Sequence, residues 1–359
     1  MDRGDFANHR LRREESVRVD HALHHPNVSY ASQQWSQEAL LHVAVAYSNP
    51  RRWRTRRELF NNFRRHMAVL PNVMLHVGEL AYGDRPFEVT SAEHPHDLQL
   101  RCSEELWHKK NLLNVVIQRC FPADWAYGAY VDADVAFTRT DIALETIQQL
   151  QHYDWVQMFS SFTDLGQGHI PVMTMPSFAA RYAAGDFDGV IDGVDLYGSG
   201  VGGAGVKGVG ATGLAWAFRR ESFNACGGLL DTCILGSGDW HMAVGLVGKR
   251  NIHPHVEMQK LSPGYVGAVR TWQARAAKAV NGNVGAVDSY VIHHFHGGRN
   301  KRFYGSRWKI LADGEFDPAR DIFRDWQGIW QLTPEKPLLR ETIRRYFRSR
   351  REDDQLQRR

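Results

Sequence analysis

The sequence predicts an α/β protein, a mostly parallel sheet flanked by helices. Near-continuous apolar runs such as ALLHVAVAY (39–47) suit strands buried on both faces. These runs alternate with amphipathic helical segments, which implies right-handed βαβ units. A third sign is the strand Gly128 to Val131, which delivers two aspartates, Asp132 and Asp134, to its exposed end. Ligands of open α/β sheets bind beyond the carboxyl ends of strands.

Composition sets the outer limits. A chain of 359 residues with 43% hydrophobic and 23% charged residues is long and apolar enough for a large core. Nowhere does an apolar run approach the ~20 residues of a membrane span. The first twenty residues are charged throughout and lack a signal-type apolar segment, so a cytoplasmic protein is expected. Cys102, Cys120, Cys226 and Cys233 sit among apolar neighbours without C-x-x-C spacing and read as reduced core thiols. The formal charge of +4 concentrates in HRLRREESVR and RRYFRSRREDDQLQRR, which suit a solvated terminus or a polyanion contact.

Taken in order, residues 1–36 lack periodicity and read as a poorly ordered lead-in. The strand at 39–47 ends in the turn signature Tyr47-Ser48-Asn49-Pro50. A helix follows, with Trp53, Leu59, Phe60, Phe63 and Met67 at helical spacing, then a strand at 73–83. Residues 103–120 form an amphipathic helix with Leu106, Leu113, Val116, Ile117 and Cys120 inward; Lys110 and Asn114 lie four apart on its other face. The Asp-X-Asp strand comes next, then a helix in DIALETIQQL and a strand in DWVQMFS. On a strand, carboxylates at i and i+2 share a face and can approach one hard divalent cation such as Mg2+ or Mn2+. A further pair, Asp186 and Asp188, has no strand leading in and reads as a solvated loop.

Glycine is dense from 164 to 212, which reads as a flexible loop or a mobile lid over a site. It contains no phosphate-cradling Gly-Lys-Ser/Thr signature, because Gly208 follows Lys207. After it come a short strand, a helix from Glu221, a Gly-Gly break and the turn Gly238-Asp239-Trp240, where Asp239 suits a helix N-cap. SYVIHHFHGG (289–298) reads as a strand whose period of two puts His294 and His296 on one face and His293 on the other. C-terminal helices complete the chain.

Three of these pieces, VDADV, GLAWAFRRESFNACGGLLDTCILGSGDWHMA and HHFHGGRNKRFYGSR, resemble in that order the metal-dependent glycosyltransferases of the GT-A fold. The middle piece is similar to the C-terminal segment of galactosyltransferase-type enzymes, whose W-G-G-E-D turn reads Gly236-Ser237-Gly238-Asp239-Trp240 here, with a single acid. The chain also resembles glycosyltransferases encoded by bacteriophages in GDRPFEVT and the H-x-x-H-G-type stretch. The likeness spans roughly residues 40–310.

The resemblance implies a GT-A-like, Rossmann-type mixed sheet over residues 37–310, with a nucleotide-sugar half (37–160), an acceptor and metal half (161–310), and a helical extension at 311–359. It implies transfer of sugar from a nucleoside-diphosphate sugar to an acceptor hydroxyl with Mn2+ or Mg2+. Asp134 would hold the cation, Asp132 directly or through water, and His296 would complete the set, with His294 as alternate. Arg299, Lys301 and Arg302 would lie near the diphosphate. Tyr47, Ser48 and Asn49 would line the nucleoside pocket, and Arg85, Lys110 and Asn114 would reach the donor. Asp239 matches the acid that serves an inverting enzyme as base; a retaining enzyme would not need it. The acceptor would be a glycan, a protein or a modified DNA base. Nucleotidyl or phosphoryl transfer, or nucleic-acid binding without catalysis, are the competing readings.

Overall fold

The computed structural model describes residues 39–185, 209–253, 256–257, 259–298, 303 and 307–353. All belong to one unit, Gln37–Arg359. The expected lead-in (1–36), residues 186–208 of the glycine-rich stretch with Asp186 and Asp188, and Arg299, Lys301 and Arg302 lie outside the described residues.

In chain order the elements begin with β1 (Leu41–Ser48), α1 (Arg54–Ala68), β2 (Val73–Tyr82), β3 (Asp97–Cys102) and α2 (Lys109–Cys120). Next come β4 (Tyr127–Val131), β5 (Val135–Phe137), α3 (Ile142–Gln149), β6 (Trp155–Gln157), β7 (Ser161–Leu165), β8 (Pro171–Pro176) and α4 (Phe178–Ala183). Beyond the glycine-rich stretch lie β9 (Ala215–Arg219), α5 (Arg220–Cys226), α6 (Gly238–Leu246), α7 (Pro263–Val280), β10 (Val284–Ala286) and β11 (Tyr290–His293). The chain closes with α8 (Trp308–Asp313), α9 (Pro318–Asp321), β12 (Ile322–Arg324), β13 (Trp330–Leu332) and α10 (Pro337–Ser349).

Seven strands form the central sheet in the order β10-β6-β9-β4-β1-β2-β3. All neighbours run parallel except β9, which is antiparallel to both β4 and β6. This is the mixed, mostly parallel sheet flanked by helices that the sequence predicts. In β1, Leu41, Val43, Ala44 and Val45 are all buried, which explains the near-continuous apolar run. Phe60, Phe63 and Met67 of α1 share one helix face and pack with β1 and α3 on one side of the sheet. Helices α2, α5, α6 and α7 cover the other. Local signals mark their ends: Ser262 caps α7 by accepting from Tyr265 N at 3.1 Å, and α5 stops at Gly227, whose φ of 77° glycine tolerates. The four cysteines are free thiols, as expected.

Two features were not legible. A smaller sheet, β5-β11-β7-β8, stands beside the first. The C-terminal segment, expected to be helical, also contains the antiparallel pair β12–β13. That segment reaches back to the first half of the chain: Asp353 accepts from the backbone N–H groups of Arg54 (2.7 Å) and Thr55 (2.9 Å), capping α1 from outside. Buried Glu352 pairs with Arg56 (2.9 Å) and Arg350 (2.8 Å). No described helix is long and apolar enough to cross a membrane.

Gly128 allows rings to pack directly on β4. A Cβ there would lie 2.7 Å from Phe218 Cε2 and 2.9 Å from Trp125 Cζ3. Gly128→Ala is expected to destabilise the protein by about 1–3 kcal/mol in urea unfolding, through overpacking.

Candidate functional site

Strand β4 ends at Val131, so Asp132 and Asp134 sit in a turn rather than on a strand. Asp132 N donates to Leu214 O (2.8 Å), and Val135 N closes the turn on Asp132 O (3.3 Å). The two carboxylates therefore take different nearest partners, although they still repel each other and Lys109 acts on both. This corrects the expectation that they share a face.

Asp134 faces two imidazoles. His296 Nε2 lies 3.1 Å from its Oδ2 and His293 Nε2 lies 3.6 Å from its Oδ1. Among the described residues this trio is the group of His, Cys, Asp and Glu that could hold a metal ion, its ligand atoms lying within 4.8 Å of one another. Register explains His293: β11 runs antiparallel to β5 and parallel to β7, placing His293 beside Val135 and Asp164. Asp164 Oδ1 lies 2.7 Å from His293 Nδ1. With a proton on Nδ1, the Nε2 lone pair faces Asp134, whose Oδ1 is buried and accepts no hydrogen bond. A second proton on Nε2 or a bound cation would satisfy both groups, and the donor set fits a metal whose histidine is oriented by an outer carboxylate.

The expected histidine pair is corrected here. Strand β11 ends at His293, so the period of two does not carry to His296. His294 instead uses its backbone, donating N–H to Asp134 O (2.7 Å), and its ring lies near His169. His293, not His294, joins His296.

Asp132 lies outside that trio and turns to the first turn of α2. Lys109 Nζ is 2.5 Å from Asp132 Oδ1 and 3.6 Å from Asp239 Oδ2. Lys110 Nζ is 2.6 Å from Asp239 Oδ1 and 3.4 Å from the centroid of the Tyr130 ring. Tyr130 also donates its hydroxyl to Asp239 Oδ1 (3.3 Å). Asp239 is not an N-cap: Ser237 occupies that position, with φ of 68°, and Asp239 lies one residue into α6 with its carboxylate on the lysines. Burial raises the Asp239 carboxyl, but Lys109 and Lys110 outweigh it and hold the group well below the usual carboxylate range. Burial pushes the Lys110 ammonium down to about 8, with Asp239 opposing and Lys109 adding like-charge repulsion. For Lys109 burial loses to Asp132 and Asp239, and its value rises. Burial also raises Asp132 against the pull of Lys109, with Asp134 adding repulsion.

The remaining candidates gather elsewhere or turn inward. At the ends of β1 and β2, Tyr47 donates to Glu88 (2.5 Å), and Asn49 Nδ2 donates to Glu88 (3.0 Å) and Trp53 O (3.0 Å). Ser48 meets Tyr82 (2.7 Å), and Arg85 Nη1 donates to Pro50 O (2.6 Å). Tyr47, Asn49, Arg85 and Glu88 surround a cleft with a free volume of ≈ 10 Å³, room for about one water. Asn114 does not face Lys110's partners. Its amide brackets Leu229, accepting from the backbone N (2.8 Å) and donating to the backbone O (2.9 Å).

Sequence reasoning missed Lys109, Tyr130, Asp164, His293 and Glu88. Lys109 had a signal, its place beside Lys110 at a helix start. Asp164 had none, since only strand register brings it to His293.

No protein-family model and no curated protein matches the chain. Solved structures do share its chain path loosely. The catalytic domain of Drosophila β1,4-galactosyltransferase 7, crystallised with xylobiose, is 12% identical with a TM-score of 0.37, over 84% of this chain and 98% of that one. A mutant of that enzyme with manganese, UDP-Gal and xylobiose is 13% identical with a TM-score of 0.35, covering 84% of this chain and 99% of that one. Staphylococcus aureus TarS (residues 1–349) is 9% identical with a TM-score of 0.35, over 77% of this chain and 65% of its own. At such identities function rests on what the site's own residues can do.

Asn114→Ala strips Leu229 of both backbone partners in a buried loop. Urea unfolding is expected to show a loss of about 1–3 kcal/mol, marking Asn114 as a structural staple.

Proposed function

We propose that the protein is a metal-dependent glycosyltransferase that takes a nucleoside-diphosphate sugar as donor and passes the sugar to an acceptor hydroxyl. The observation that carries this reading is the divergence at the Asp132–Asp134 turn. One carboxylate enters a two-histidine cation cradle and the next enters a lysine–aspartate cluster, so a place for a cation and a place for an anion adjoin at the end of β4. A diphosphate bridging them would meet positive charge on both sides.

Asp134, His293 and His296 hold the cation, and Asp164 orients His293. A carboxylate with two imidazoles suits Mn2+ better than Mg2+, which prefers an all-oxygen shell. When bound, the ion supplies Lewis-acid stabilisation of the diphosphate leaving group. Lys109 and Lys110 face the same leaving group from α2. Charge suits a cation first: Asp132, Asp134, Asp164 and Asp239 exceed the two lysines by two negative charges, and a divalent cation neutralises that excess before an anionic donor arrives. Asp239 is the base toward the acceptor hydroxyl in an inverting transfer. The cleft of Tyr47, Asn49 and Arg85, with Glu88 held by Tyr47 and Asn49, is too small for a nucleoside as it stands, so the reading rests on the cation cradle and the lysines.

Calorimetric titration of UDP and GDP, with Mn2+ and with chelator, tests the reading. Binding that requires Mn2+ is expected; absence of binding by any nucleoside diphosphate under either condition would overturn it. Asp134→Ala should abolish the metal-dependent component while leaving circular dichroism native. Asp164→Asn, which touches no ligand directly, should weaken Mn2+ binding roughly 10- to 100-fold, the usual cost of losing an outer carboxylate. Unchanged Mn2+ affinity in both variants would place the ion elsewhere.

A further inference from the structure

The lysines assigned to the donor are already engaged. Lys109 bridges Asp132 and Asp239, and Lys110, with only 6% of its side chain exposed, is held between Asp239 and the face of Tyr130. Asp239 is engaged as well, since Lys110, Lys109 and the Tyr130 hydroxyl all converge on its carboxylate. A carboxylate so paired has little to offer an acceptor hydroxyl, and the charge of the ammoniums is already matched before a phosphate arrives.

We propose that Lys109, Lys110, Asp132 and Asp239 form a counter-ion exchange lock. The donor diphosphate replaces the carboxylates as the lysines' partner, and Asp239 turns to the acceptor only after the donor is seated. The inference rests on the glycosyltransferase reading and adds to it the coupling between donor and base.

Three physical points support the exchange. Leaving a buried charge unpaired is costly, so the lysines give up Asp239 only to another anion. Diphosphate oxygens are good replacements, because a lysine ammonium is a compact charge with three donors on a flexible stem, and the swap needs stem rotation without backbone movement. Both lysines lie at the start of a twelve-residue helix, whose dipole also favours an anion there. Tyr130 has a part on each side of the exchange. Its ring keeps Lys110 in place by cation–π attraction, and its hydroxyl keeps a hydrogen bond on the released Asp239.

If Asp239 competes with the donor for the lysines, removing its charge must tighten anion binding. The probe is inorganic pyrophosphate, titrated calorimetrically into the full chain with chelator present. Asp239→Asn is expected to bind it roughly tenfold more tightly than wild type, the scale of coupling between close charge pairs. Asp239→Ser, which tests the same loss of charge with a smaller side chain, should shift affinity the same way. Lys110→Met should bind it at least roughly tenfold more weakly, and the gain from Asp239→Asn should vanish in the Lys110→Met background. Unchanged or weaker pyrophosphate binding in both natively folded Asp239 variants would overturn the lock. Tightening in a protein that binds no nucleoside diphosphate with Mn2+ would leave the lock as an anion site and remove the glycosyltransferase reading. Metal-dependent diphosphate binding without the tightening would remove the lock alone.

Discussion

The backbone of the Asp132–Asp134 turn ties the two sheets together, and the site depends on it. Asp132 N donates to Leu214 O beside β9 in the large sheet, and Asp134 O accepts from His294 N at the end of β11 in the small one. Buried backbone groups must be paired, so these bonds set where the chain can go after β4. With the backbone fixed, the two side chains have little choice of direction. Asp132 emerges toward α2, and Asp134 toward the histidines. Moving either contact would shift both halves of the site together.

Helix α2 is the other fixed element. Its Asn111 side chain accepts from Trp330 N (3.0 Å) and donates to Gly328 O (2.9 Å), so the C-terminal pair β12–β13 is clamped to the helix that carries the lysines. Asn114, one turn further on, brackets Leu229 in the chain leading to α6 and Asp239. The two asparagines thus place both partners of the Lys110–Asp239 ion pair. A buried ion pair is a weak source of stability, because desolvation offsets much of the attraction. Its retention beside a strained Ser237 suits a site that must exchange partners better than one that must only hold together.

What the sequence disclosed follows the range of the interactions. Core strands and amphipathic helices were legible because burial imposes periodicity on neighbouring residues: β1, α1 and β4 fall where the apolar patterns put them, whereas α2 starts at Lys109 instead of Ser103, leaving Leu106 ahead of the helix. Lys110, Asp134, Asp239 and His296 were nameable as candidates, and the structure brings them to two adjoining clusters. The errors have a common cause. Strand alternation does not carry into either functional turn, so Asp132 does not share a face with Asp134, nor His294 with His296. Side-chain alternation holds only while the ladder continues, and β4 stops at Val131 as β11 stops at His293. Asp164 and Glu88 arrive through register and loop closure, 129 and 41 residues from the side chains they hold. No local pattern encodes such distances.

The corrected geometry changes what the paired aspartates are for. Two carboxylates on one ion would make a hard oxygen site and leave the lysines of α2 without Asp132. The turn instead gives one carboxylate to each task, and histidine from β11 makes up the ligand count at Asp134. The cation cradle and the lysine cluster then carry opposite needs a single residue apart: the first lacks positive charge and the other holds it in reserve. On the proposed reading a divalent ion would fill the first, and a diphosphate would draw the second's lysines from the carboxylates that now pair them. On that reading, the spacing of Asp132 and Asp134 would couple metal to donor, and the proximity of Asp239 to the lysines would extend that coupling to the acceptor.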